Sequence, residues 1–331
     1  MTGKGKFVIS LDFELFWGVR DKRTIESYGA SLAKVHDIVP RMLDLFEKYG
    51  IRSTFATVGF LFAKNKNELL RFVPPIKPQY QDANLSPYGK DINELPEEAD
   101  LYHYAPRLIE LLKKSEGQEI ATHTFSHYYC LEKGQKPNDF DADMKAARSI
   151  AEVNDIKLDS LVFPRNQFNK EYLKILNSNN ISSYRGNENS WFHKSESEES
   201  ISLKKRVFRT LNCYINIGGH HCYKLEDLKS EKPYNIPSSR FLRPYKAKLP
   251  ILEWLKLRRI KRSMTHAAKN GLLYHLWWHP HNFGTYQDEN FLILEKILKH
   301  YQELQTKYGF QSCSMSDVTT SLDAMTLEPK S

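Results

Sequence analysis

Nowhere in this 331-residue chain does an apolar run approach the ~20 residues that a bilayer-spanning helix needs, which excludes a membrane-spanning helix. Cysteine is scarce. Cys130, Cys213, Cys222 and Cys313 form no CxxC pair, and their irregular spacing fits reduced thiols of a cytoplasmic protein better than a disulfide framework. The opening Met1-Thr2-Gly3-Lys4-Gly5-Lys6 is positive but leads into no apolar segment or cleavage site, so nothing suggests export. Short-period repeats and low-complexity tracts are absent too. What is there is a globular composition, 40% hydrophobic, 12% aromatic and 27% charged. That much apolar area excludes a disordered chain, which cannot offset its ordering entropy. The net charge of +8 favours anionic partners only weakly and does not argue for nucleic acid.

Strand-like and helix-like segments alternate along the chain. Phe7–Leu11, Ile51–Val58, a run into Thr122, a run into Pro164, Ile181–Tyr184, Leu272–Trp278 and Gln311–Met315 read as about seven strands. Helices are expected over 31–49, 106–114, 139–153, 170–177, 251–269 and 290–307. This order predicts an α/β chain, a parallel sheet or barrel, in one domain spanning 1–331. Two polar, proline-bearing stretches, at about 70–105 and 186–250, are expected to be irregular insertions.

In parallel α/β folds the chemistry sits beyond the carboxyl ends of the strands. Here those ends deliver Asp12 and Glu14, His123 and His127, Arg165, Arg185, then His279, His281 and Asn282. The convergence of such groups from five strand ends is the strongest signal in the sequence. HxxxH alone is a common helix-surface pattern, with both imidazoles on one face of a helical turn. After a strand, and with a carboxylate pair at another strand end, it points to a two-histidine, one-carboxylate centre with open positions for water. Asp12 and Glu14 lie two apart and share one strand face, so one can bind a metal while the other serves as general base. His279, behind Leu276-Trp277-Trp278, suits a general acid. Arg165 and Arg185 are candidates for pinning a carboxylate or a substrate anion. His281, Asn282 and Trp278 are expected to contact substrate, and His275 to be structural.

The residues Ser10-Leu11-Asp12-Phe13-Glu14, Gly117-Gln118-Glu119-Ile120-Ala121-Thr122-His123-Thr124-Phe125-Ser126-His127, Phe163-Pro164-Arg165 and His279 resemble the polysaccharide deacetylase family of carbohydrate esterases. The resemblance covers about residues 5–185 and 270–320. It implies a distorted (β/α) barrel, one divalent metal ion (zinc first, with cobalt, nickel, manganese or iron as substitutes) and hydrolysis of an acyl group from a sugar. By the same resemblance Asp12 is the catalytic base, His123 and His127 are metal ligands, Arg165 orients the base and His279 is the acid. In the common form of the first motif two acids are adjacent. Here Phe13 intervenes, as in a variant subgroup with a spaced pair, which gives the metal to Glu14. No acid that braces His279 is evident, and Glu188 is the nearest candidate.

The expected substrate is an N-acylated sugar of a carrier-linked or polymeric glycan in surface polysaccharide assembly. The alternatives are hydrolysis of small linear or cyclic amides of the ureide type, or a glycan-binding relative without activity. Trp254 to Lys269, with Lys256, Arg258, Arg259, Lys261 and Arg262, is a basic helix that could lie on an anionic membrane at the inner face. A solvated helix face explains it more simply.

Overall fold

The computed structural model describes residues 4–197, 200, 202–248 and 250–327; the first three and last four residues of the expected 1–331 domain lie outside the described residues. Among the described residues nine strands form one sheet: β1 (Lys6–Phe13), β2 (Ser53–Thr57), β3 (Gln118–Thr122), β4 (Ser160–Val162), β5 (Ser183–Arg185), β6 (Tyr234–Asn235), β7 (Arg240–Phe241), β8 (Leu273–Trp278) and β9 (Gln311–Cys313). Their order is β6-β5-β4-β3-β2-β1-β8-β7, with β9 also on β1, and every pairing is parallel.

The second expected insertion turns out to carry part of this sheet. Along residues 234–242, the N–H groups of Tyr234 and Ile236 donate to the carbonyls of Ser182 and Tyr184. Those of Ser239 and Leu242 then donate to His275 and Trp277. One extended run thus changes partner from β5 to β8 and joins the two ends of the curled sheet, giving the distorted (β/α) barrel. Two or so paired residues on each side are too short for a period-2 pattern to register, so the sequence reads as irregular there.

Alternation along the strands splits the core in two. Phe7, Ile9, Leu11 and Phe13 of β1 belong to the large outer cluster, with Phe55, Ile120, Leu161, Tyr184, Tyr274, Leu276 and Trp278 and the helices that cover them. Val8 faces the other way, into a smaller cluster with Ala56, Ala121, Val162, Ile236 and Leu273. Met315, Val318 and Leu322 of the helix Met315–Leu327 join that inner cluster. The inner positions nearer the carboxyl ends are polar: Ser10, Asp12, His123, Arg185 and His275, all buried. Apolar packing therefore holds the inner face below, and buried polar groups hold the rim above.

The helix Met315–Leu327 was not expected, because its Ser-, Thr- and Asp-rich sequence has weak helix propensity. It is set by capping instead. Ser314 N donates to Asp317 Oδ2 at 2.8 Å, Asp317 N to Ser314 Oγ at 3.2 Å, and Ser316 N to the buried Glu119 at 3.0 Å. The other helices stand close to expectation, at Pro106–Lys114, Pro137–Glu152, Pro250–Asn270 and Gln287–Tyr308, while the expected 31–49 helix is two, Ile25–Ala33 and Val35–Tyr49.

If this helix fills the inner core from below, Leu322→Ala leaves a cavity there and lowers the unfolding free energy by about 2–5 kcal/mol. Urea denaturation measures this; a loss below about 1 kcal/mol, the range of ordinary surface changes, would contradict the packing.

Candidate active site

Glu14 is the meeting point of the rim. It leaves β1 one residue beyond Phe13 and caps a 3-10 turn, Leu15–Gly18, whose last residue makes room for it. A Cβ built on Gly18 would overlap the Glu14 carboxyl group, so this acid lies in a cradle that only glycine leaves open. Glu14 Oε2 lies 3.1 Å from His127 Nε2 and 3.3 Å from His123 Nε2. All three residues are buried, and among the described residues they are the group able to hold a metal ion.

The two histidines are not on a helical turn as expected. Residues 123–127 form a loop in which Thr124 (φ 63°) and His127 (φ 59°) adopt left-handed backbone and curl the chain under Glu14. Asp143, an acid on the buried face of the helix Pro137–Glu152, holds the loop. It accepts the N–H of Phe125 at 2.7 Å, the N–H of Ser126 at 3.2 Å and the Ser126 hydroxyl. Burial pushes its pKa up to about 6, against these hydrogen bonds. The N–H groups of Phe125, Ser126, Tyr128 and Tyr129 are all engaged by side chains, which removes them as donors to an oxyanion.

The donor set fits a divalent cation on its own chemistry. His123 Nδ1 lies 2.8 Å from the Val162 carbonyl, which can only accept, so the proton is on Nδ1. In its neutral form the ring then presents a lone pair from Nε2 to a carboxylate oxygen, and Nε2 has no hydrogen-bond partner. Lone pair against carboxylate is repulsive unless a cation lies between them. Burial pushes His127 down to about 4, so it is neutral near pH 7. For Glu14, burial works upward, but the imidazoles of His279, His123 and His127 beside it outweigh that and leave the acid well below its ordinary value.

Asp12 stands beside this group but is held differently. Arg185 grips it with both ends of its guanidinium, Nη1 to Oδ1 at 2.6 Å and Nη2 to Oδ2 at 2.8 Å. Burial raises the Asp12 pKa, and Arg185, His123 and His279 more than offset that, so it is ionised at neutral pH. A chain of fixed polarity supports the pair: Arg185 donates to Ser10 Oγ at 2.9 Å, Ser10 Oγ lies 2.8 Å from His275 Nε2, and His275 Nδ1 faces the Ile236 carbonyl at 3.3 Å. Asn166 Oδ1 accepts a further bond from Arg185 Nη2 at 2.9 Å.

The expectation that Arg165 orients Asp12 is therefore corrected. Arg165 and Asn166 have left-handed backbone (φ 54° and 53°), which turns the Arg165 side chain to Asp21 and the Tyr129 ring. Arg185, expected at the substrate, lies underneath Asp12 instead. His279 Nε2 lies 3.7 Å from Asp12 Oδ2 and 3.6 Å from Glu14 Oε1, and its Nδ1 faces Asn282 Oδ1 at 3.3 Å. Asn282, not Glu188, braces it; Glu188 faces His193 at 4.0 Å. His281 stacks on His279 and lies 4.0 Å from Glu14 Oε1, with burial pushing it down to about 4. Trp278 does not reach the site. It points outward from β8 and packs on Phe46 and Phe283, fully buried. Its neighbour Trp277 faces the site and carries Arg185 over its ring at 4.2 Å. The basic helix is also less uniform than expected, since Lys256 and Arg259 turn inward to Glu253 and to Asn216.

Sequence reasoning missed Gly18, Asp143, Ser10, Asn166 and Trp277. Three had a visible signal: Ser10 lies two residues before Asp12 on the same strand face, Trp277 shares the face of His275 and His279, and Asp143 is an acid between Phe140 and Met144 on a mostly apolar helix face. Gly18→Ala displaces the Glu14 carboxylate and weakens divalent-cation affinity about 10- to 100-fold, as loss of a group supporting a ligand does; unchanged affinity by calorimetry would refute the cradle. Arg185→Ala strands a buried carboxylate and lowers stability by about 3–5 kcal/mol, read by chemical denaturation. A cost below about 1 kcal/mol would show the pair to be solvent-screened.

Residues 27–184 match the family model described as polysaccharide deacetylase. No curated protein matches the chain. In fold it is similar to a crystal structure assigned to the polysaccharide deacetylases from Mycobacterium smegmatis, with a TM-score of 0.61 at 14% identity over 99% of this chain and 94% of that one. A second, similarly assigned, from Pseudomonas aeruginosa PAO1, gives a TM-score of 0.56 at 10% identity over 98% of this chain and 92% of that one. The matched stretch contains His123 and His127, while Asp12, Glu14, Arg185 and His279 lie outside it and join them only in space. Residues 27–184 thus match the polysaccharide deacetylase family model, and the chain as a whole is similar in fold to structures assigned to that family.

Proposed function

We propose that this chain is a divalent-cation-dependent hydrolase that removes an N-acyl group, first of all N-acetyl, from a sugar of a carrier-linked or polymeric glycan in surface polysaccharide assembly. The observation that carries the reading is the unpartnered His123 Nε2 facing Glu14 Oε2 at 3.3 Å, beside an ionised acid and an imidazole that are not part of that group. Glu14, His123 and His127 would hold a divalent cation, which would supply Lewis acidity towards an acyl carbonyl and towards water near neutral pH.

The chain's own residues divide the proton transfers. Asp12 accepts a proton from the attacking water as the new C–O bond forms, and Arg185 keeps its carboxylate oriented throughout. His279 gives its proton to the nitrogen as the C–N bond breaks, releasing a carboxylic acid and an amino sugar. Asn282 orients the ring, and the stacked His281 and nearby Trp277 and Phe241 confine it. The family supports a deacetylase hydrolase; the acyl position and the sugar are this proposal's own. A role at the inner membrane face is part of it, supported by the half-exposed Trp254 with Arg258 over its ring. Among the described residues no helix is long and apolar enough to cross a membrane.

Two variants separate the roles. Asp12→Asn keeps bound metal in elemental analysis but loses about 10²- to 10⁴-fold in acetate release from N-acetylated sugars. His123→Ala loses both. Equal metal loss in the two would overturn the division between base and ligand, and ammonia from ureides without acetate from sugars would overturn the substrate class.

A further inference from the structure

A cavity of about 220 Å³ opens beside His279, and Phe241 and Trp277 are part of its lining. These two rings lie 5.9 and 5.7 Å from the His279 ring, so one wall separates the cavity from the proposed acid. The rest of the lining comes mostly from the second insertion, residues 187–213 and 240–243.

The lining is short of acceptors. Five buried nitrogens on residues of the lining meet no acceptor at hydrogen-bonding geometry, Arg240 Nε and Nη2, Arg243 Nε, Asn212 Nδ2 and Trp277 Nε1, with the hydroxyls of Tyr274 and Tyr214 near Arg240 and Arg243. Arg240 is only 3% exposed and spends its other end on the Asn212 carbonyl, while Asn212 is 1% exposed. Buried donors without acceptors are costly, and native structures satisfy them with protein, water or ligand. Among the fully buried acceptors of the described lining residues Glu196 Oε2 is the one without a partner, and that residue already pairs with Lys205. Glu188 is the other acid of the lining and faces His193; Lys194 and Arg209 add positive charge. Sugar hydroxyls both donate and accept, so they match such a wall poorly. An oxyanion, which only accepts and carries the opposite charge, matches it well.

We propose that this cavity binds a phosphate-type oxyanion attached to the substrate, so that the acylated sugar taken by the neighbouring centre is one joined to a phosphate. The sugar half of this statement rests on the deacetylase reading; the anion half does not.

Calorimetry with pyrophosphate, N-acetylglucosamine 1-phosphate and N-acetylglucosamine tests it on the intact chain. The two phosphates are expected to bind the wild type and also His123→Ala, which lacks the cation, and the neutral sugar to bind about 10- to 100-fold more weakly than its 1-phosphate, the fold-change of one lost charge-assisted hydrogen bond. Arg240→Gln and the more exposed Arg243→Gln each weaken phosphate binding by a similar factor; if the first fails to fold, the second carries the comparison. Phosphatidylcholine vesicles with and without a polyprenyl phosphate separate a lipid-borne phosphate from a soluble one, and capture by either source supports the subsite. Binding of the neutral sugar as tight as that of its 1-phosphate, or loss of phosphate binding in His123→Ala, overturns the subsite even where acetate is released. Phosphate binding without acetate release from any sugar leaves the subsite and overturns the deacetylase reading instead.

Discussion

A neutral imidazole and a carboxylate that face each other without a proton between them are stable only around a positive charge, and the rim of this barrel is arranged about that constraint. The Val162 carbonyl fixes the His123 tautomer, Gly18 leaves space for Glu14, and Asp143 curls the loop that brings His127 to the same oxygen. Each support comes from a different part of the chain. The centre is thus a property of the folded barrel, not of the HTFSH motif by itself.

Beneath it lies a second electrostatic layer with a different task. Arg185, Ser10 and His275 form a buried run of hydrogen bonds from Asp12 to the Ile236 carbonyl. Burial pushes His275 down to about 3, so the only formal charges in that run are those of Arg185 and Asp12, which cancel. A buried ion pair of this kind fixes orientation more than it adds stability. It keeps one acid ionised and aimed while the neighbouring acid, Glu14, faces the two histidines. Two carboxylates two residues apart therefore come to have separate environments.

How far the sequence could be read depends on the kind of signal. Strand ends and their polar residues were legible because period-2 alternation and apolar runs mark them, and Asp12, Glu14, His123, His127 and His279 do converge. Reach was not legible. Arg165 and Arg185 both follow apolar strands, and only the left-handed backbone at Arg165 decides which one turns away to Asp21. Trp277 and Trp278 differ by parity alone: His275, Trp277 and His279 share a face, so alternation already pointed to Trp277. The joining segment 234–242 and the helix Met315–Leu327 escaped because the first pairs over two residues at a time and the second depends on caps instead of propensity.

The central claim is that Glu14, His123 and His127 together hold one cation while Asp12 does not. Crystals of the cobalt- or zinc-loaded protein, mapped by anomalous scattering at the metal edge, test it most directly. The account predicts a single peak about 2.0–2.2 Å from one oxygen of Glu14 and from Nε2 of each histidine, with Asp12 still on Arg185. A peak coordinated by Asp12, or none at that position in metal-saturated crystals, would contradict it.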